Sequence, residues 1–202
     1  MPKTIAVVAY NLDPASALTA DAIVFRDRLN GAGYSAQLVH QWAFNETNAG
    51  TFKSQGDWKR YDGVVISSFY PFWNLRELVR AGRPVLCANA GYADDLGLGE
   101  RDQEHVSEDD FNVVSAAHPI ISGAAVPPGP VNVGSPVWVD SISTLNHHVD
   151  VLITTLAGQA VLAAHKTEPL LYFGWYRMSQ ASSGSVLFTL LARAAQWVFS
   201  GP

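Results

Sequence analysis

One cysteine, Cys87, is all the chain carries in 202 residues. That excludes an internal disulfide framework and any cysteine-rich zinc site. Charge is scarce too: Asp, Glu, Lys and Arg make up 15% of the chain, against roughly 25% in an average soluble domain. The balance is acidic, a formal −5. The basic face that a nucleic-acid binder presents is therefore missing, and no nucleic-acid partner is expected. No apolar run has the length of a bilayer span. The most apolar late stretch, 186–199, is too short and carries Arg193, so no membrane partner is expected either. Met1-Pro2-Lys3 leads straight into a strand-like segment with no apolar leader. The expected location is the cytoplasm, or a particle assembled there. Internal repeats, low-complexity tracts and long linkers are absent, so a single domain over 1–202 is expected.

Apolar and aromatic residues are abundant: 48% of the chain is hydrophobic and 11% aromatic, with six Trp. Such a chain buries a sizeable core. With so few charges, it either thickens that core or covers part of its surface with another molecule.

Apolar runs at 4–9, 64–67 and 85–88 read as buried parallel strands, and 34–40 alternates as a further one. Leu18, Ala22, Phe25 and Leu29 recur at helical spacing before Gly31 and Gly33 stop the helix. Residues 74–81 read as a short helix closed by Gly82, and Gly91 opens a helical turn through Leu96. Strand–helix alternation with short connections predicts right-handed βαβ units on a parallel sheet. After Gly99 the rhythm changes. Residues 100–110 read as a charged, solvated insert containing Glu104, Glu108, Asp109 and Asp110. Pro127, Pro128, Pro130 and Pro136 crowd the next stretch. Closely spaced strands at 137–142, 149–155, 160–165 and 170–173 predict an antiparallel C-terminal extension. Ser183 begins a final helix over 185–199 whose apolar face holds Leu187, Leu190, Leu191 and Val198.

Three strings, in this order, resemble the class I glutamine amidotransferase-like (flavodoxin-like) superfamily. They are Tyr61-Asp62-Gly63-Val64-Val65-Ile66, Pro84-Val85-Leu86-Cys87-Ala88-Asn89-Ala90-Gly91-Tyr92, and His118-Pro119-Ile120-Ile121-Ser122-Gly123. The third is nearest to the trehalose-utilisation-like branch. The resemblance covers most of the chain. It implies a three-layer α/β sandwich around a mostly parallel sheet. It also implies where a nucleophile elbow would stand, and there the pattern departs. The nucleophile position falls on Asn89, with Cys87 two residues earlier inside the strand, as a buried small hydrophobe. The place of the family's His-Pro-Glu is taken by Gly174-Trp175-Tyr176, and its oxyanion glycines by Ser68-Phe69. The catalytic triad is thus expected to be lost, and no catalytic residue, metal or cofactor is assigned.

Aromatics cluster after the strands. Tyr10 follows the first; Phe69, Tyr70, Phe72 and Trp73 the third; Tyr92 the fourth; Trp175 and Tyr176 a late one. In a doubly wound sheet these positions surround the ligand crevice at the carboxyl ends of the strands. With Asn11, Asn74 and Asn89 as amide partners, they suit a sugar-like ligand or a protein surface, or else they plug the former pocket. The candidate site residues are therefore Tyr10, Asn11, Phe69, Tyr70, Trp73, Asn89, Tyr92, Trp175 and Tyr176. His147-His148 with Asp140 and Asp150 lacks metal-ligand spacing. His40, His105 and His165 stand alone. The leading functional reading is a non-catalytic scaffold or interaction subunit of a larger assembly, such as a virion or other particle, joined to protein partners or to itself. The alternatives are a carbohydrate-associated binder or enzyme and a hydrolase using Ser67 or Ser68.

Overall fold

A computed structural model describes residues 1–41, 57–67, 75–100 and 103–201. Its strands are β1 (Thr4–Ala9), β2 (Ser35–His40), β3 (Gly63–Ile66), β4 (Val85–Cys87), β5 (Gln103–Val113), β6 (Gly129–Ile142), β7 (Val149–Thr155), β8 (Ala160–His165) and β9 (Leu170–Phe173). Helices α1 (Ala17–Gly31), α2 (Arg76–Arg80), α3 (Ala93–Leu96), α4 (Pro119–Gly123) and α5 (Val186–Ser200) complete the set.

The nine strands run in the order β2-β1-β3-β4-β9-β8-β6-β5-β7, and β7 returns to pair with β8. The pairs from β2 to β9 are parallel. Those among β5, β6, β7 and β8, and between β8 and β9, are antiparallel. Closure of β8-β6-β5-β7 makes a four-stranded antiparallel barrel. This overturns the expectation of a mostly parallel three-layer sandwich: the sheet is mixed. The antiparallel part is also an insertion rather than a C-terminal extension, because the chain leaves after β4 and returns beside β4 as β9.

The reason lies in two segments. The acidic run at 104–110 belongs to β5, whose inward residues Phe111 and Val113 are buried while His105, Ser107 and Asp110 face out. Charge on one face of a half-buried strand reads locally like a loop. The proline-rich segment is β6. Its register against β5 jumps from Val137↔Glu108 to Asn132↔Asp110, so residues 133–136 lie out of the ladder. Gly134 there has φ +92, and Pro136 forfeits no ladder bond. A bulge is where a strand tolerates such residues.

The parallel strands are buried throughout β1, β3, β4 and β9 apart from Thr4 at the edge. Helix α1 buries Ala22, Phe25 and Leu29 against one face of the sheet. Helix α5 buries Leu187, Leu190, Leu191, Ala194 and Val198 into that same cluster. Its cap is Ser185 rather than Ser183, with the hydroxyl accepting from the Leu187 amide at 3.3 Å and donating to the Val133 carbonyl at 2.8 Å. The opposite face carries Leu78, Ala93 and Leu96 from α2 and α3. No helix among the described residues is long and apolar enough to cross a membrane.

Candidate functional site

The carboxyl end of β4 leads into the elbow. Asn89 sits in extended backbone and its side-chain oxygen accepts from the Gly91 amide at 2.8 Å, capping the turn Ala90–Tyr92. The neighbouring amide, that of Ala90, donates to Asp140 Oδ2 at 3.3 Å. The first two amides of the turn after Asn89 are thus bonded to side chains of this same chain.

Asp140 comes from β6, opposite His105 on β5. Its carboxylate is fully buried, and Oδ1 lies 2.5 Å from His105 Nδ1. Its main chain is held as well: the Tyr172 hydroxyl donates to its carbonyl at 2.6 Å and its amide donates to the Gly174 carbonyl at 2.9 Å. Burial pushes the Asp140 carboxyl up to about 6, against the opposing pull of His105 and the Ala90 amide. His105 is 40% exposed at its side chain, so the buried carboxylate orients a solvent-reachable imidazole. The ring of Tyr176 stands edge-on at 6.1 Å, and its hydroxyl is pushed up to about 12 by burial and by Asp140. Gly174 leaves room for this arrangement, because a Cβ there would fall 2.2 Å from the Asp140 carbonyl oxygen.

Cys87 is completely buried and its thiol donates to the Asn89 carbonyl at 3.2 Å. Burial raises its pKa to about 12, which leaves almost no thiolate at neutral pH. Ser67 is also buried, and its hydroxyl donates to the Val8 carbonyl at 2.8 Å.

The other expected site residues are dispersed. Asn11 accepts from the Thr19 hydroxyl at 2.7 Å and the Asp13 amide at 3.1 Å, and, like Tyr10, it is partly buried. Tyr92 packs beneath the elbow at 2% exposure. Trp175 is wholly buried 5.1 Å from both Phe111 and Phe173. The structure therefore brings Asn89 and Tyr176 to the Asp140–His105 pair, while Tyr92 and Trp175 serve the core. Phe69, Tyr70, Phe72, Trp73, Asn74 and Ser68 lie outside the described residues.

His105 and Asp140 were not singled out as a pair by the sequence. They are 35 residues apart, and only the β5–β6 register joins them. Local alternation gives little signal here, because the bulge between Glu108 and Asp110 shifts the inward phase from Val106 to Phe111 and Val113. The group of His147, His148, Asp140 and Asp150 is split: Asp140 goes to His105, the His147 and His148 ring centroids lie 3.7 Å apart with the planes tilted by 46°, and Asp150 lies 3.6 Å from Lys166 Nζ. No cluster of three His, Cys, Asp or Glu fit for a metal occurs among the described residues. His118 caps α4, accepting from the Ile120 amide at 3.3 Å, and burial lowers its pKa.

No known family model matches this chain, and no curated protein sequence matches it. Solved structures do. A ThuA-like protein from Bacteroides uniformis matches with TM-score 0.65 at 13% identity, covering 98% of this chain and 91% of that one. A GMP synthase subunit from Thermoplasma acidophilum matches with TM-score 0.58 at 17% identity, covering 98% and 96%. At such identities the likeness is one of fold, and the fold is glutamine amidotransferase-like.

Proposed function

We propose that this chain is a glutamine amidotransferase-like domain that acts by binding rather than by thiol catalysis, as an interaction or scaffold component of a larger assembly. The observation that carries the reading is the elbow itself. The Ala90 and Gly91 amides are bonded to Asp140 and Asn89, and the one thiol nearby is buried with its pKa raised to about 12. Stabilising a tetrahedral oxyanion needs unspent donors aimed at it, and attack needs a thiolate. The assembly role is supported by the low charge content and the aromatic-rich composition. The test is twofold. Purified chain incubated with glutamine should release no more ammonia than a protein-free blank, and light scattering should report a mass above the 21.8 kDa monomer. Glutamine turnover that Cys87→Ala abolishes would overturn the first half; a strict monomer that captures no partner would overturn the second.

A second reading draws on the His105–Asp140 pair: a carbohydrate-associated binder or enzyme of the kind the ThuA-like fold suggests. A carboxylate that accepts from Nδ1 fixes the tautomer, so that Nε2 becomes the basic nitrogen. A sugar-dependent chemical-shift change at His105, absent in Asp140→Asn, would favour this reading. The Ser67 hydrolase reading has less support, since that hydroxyl is already donated to the Val8 carbonyl.

A further inference from the structure

Away from the elbow, a groove of about 320 Å³ opens between α2 and the turn that joins β8 to β9. That volume lies at the lower end of the range for small-molecule sites. From α2 come Arg76 and Arg80, one helical turn apart and hence on one side of the helix. Arg80 is bonded to Glu77 at 2.7 Å, whereas Arg76 has no hydrogen bond or ion pair among the described residues. Its guanidinium lies along Gly97, where a Cβ would stand 3.7 Å from Nη2. Gly97 has φ +77, a conformation that favours the residue without a side chain. Asn146 pins this rim by donating to the Gly97 carbonyl at 2.8 Å.

His165 faces the groove from the end of β8, with its side chain only 11% exposed. Its Nδ1 accepts from the Thr167 amide at 3.4 Å and the Glu168 amide at 3.1 Å. A nitrogen that accepts carries no proton, so the ring proton resides on Nε2 and the imidazole presents a donor. Glu168 Oε2 is 3.6 Å from that nitrogen, beyond a direct hydrogen bond. The groove therefore has an unengaged guanidinium and an oriented N–H from two separate elements, with a single carboxylate beside that N–H and with His148 and Thr167 also in its lining.

We infer that this groove binds a small phosphomonoester attached to a hydroxylated body. The guanidinium fork of Arg76 matches two phosphate oxygens. From the other wall His165 Nε2–H and the Glu168 carboxylate, 3.6 Å apart, face the body, the first donating to its hydroxyls and the second accepting from them. A ligand with a dianion at each end would meet Glu168 and be rejected.

The test is calorimetric titration of the full chain with inorganic phosphate, glucose 6-phosphate and glucose as probes. Both phosphate-bearing probes should bind saturably and compete, the sugar phosphate more tightly, and glucose alone should give no saturable heat. Arg76→Ala and Arg76→Gln should each weaken the sugar phosphate about tenfold or more, with no change in melting temperature. Arg26→Ala, on α1 and paired there with Asp27, should leave binding intact. Absence of saturable binding by either phosphate probe overturns the inference. So does glucose binding as well as its phosphate, or a folded Arg76 variant that binds like the parent.

Discussion

Asp140 gathers more constraints than any other polar residue near the elbow: a buried carboxylate shared between His105 and the Ala90 amide, on a main chain held by Tyr172 and Gly174. Its raised pKa of about 6, from an ordinary 3.8, has a definite sign. The folded chain holds this proton more tightly than the unfolded one, so its contribution is present below about pH 4 and is lost as pH rises through about 6. The loss amounts to about 2–3 kcal/mol. Asp140→Asn cannot ionise, and urea unfolding from pH 4 to 7 should show this fall in the parent and not in the variant. Equal slopes in both would contradict the assignment. Cys87 gives a second check at this scale. Its buried thiol, pushed up to about 12, should resist an aromatic disulfide reagent in the native chain and react fully in denaturant. Rapid native labelling would mean an accessible thiolate. Cys87 was legible in advance, since an apolar run around a small residue predicts a buried strand position. Asp140 was not, because burial of a carboxylate depends on partners that no local pattern names.

The elements that the sequence made legible are those with unambiguous periodicity. β1, β7, β8 and β9 have the bounds that their apolar runs predict, and α5 differs from its apolar stripe by one residue at each end. β5 and the first half of β6 were hidden, one by its charged outer face and the other by prolines carried in a bulge. At this scale the elbow depends on Gly174, where an added Cβ would meet the Asp140 carbonyl at 2.2 Å and the Tyr172 hydroxyl at 2.9 Å. Gly174→Ala should therefore push β9 from β6 and destabilise by about 1–3 kcal/mol or more. It should also shift the His105 ring resonances; an unperturbed His105 spectrum would mean that the contact relaxes without touching the pair. In α5, Leu190 is wholly buried, and Leu190→Ala should cost about 2–5 kcal/mol by leaving a cavity. Ser185→Ala, which removes both the cap and the bond to Val133, should cost about 0.5–2 kcal/mol. Thermal denaturation measures both, and truncation after Ser183 should leave no cooperative transition at all.

Across the whole molecule, the parallel strands and the barrel share one hydrogen-bonded ladder through β9 and β8, and one apolar cluster contains Val7 and Leu86 together with Phe111 and Leu152. A single unfolding transition is expected, with tryptophan fluorescence and far-ultraviolet dichroism coinciding. Two separated transitions would show the barrel to be an independent unit. Residue order alone sufficed to mark strands and helices wherever burial imposes a strict period. It sufficed as well for the parallel pairing of the first four strands, because strand–helix alternation with short connections requires crossovers of that kind. It did not suffice for the closure of β5 to β8 on themselves, for the return of β9 beside β4, or for the meeting of His105 with Asp140 at the elbow. Those outcomes emerge in three dimensions, from pairing between distant strands and from the register of a bulged hairpin. A strand's own residues specify which face is buried, not which neighbour will satisfy its backbone.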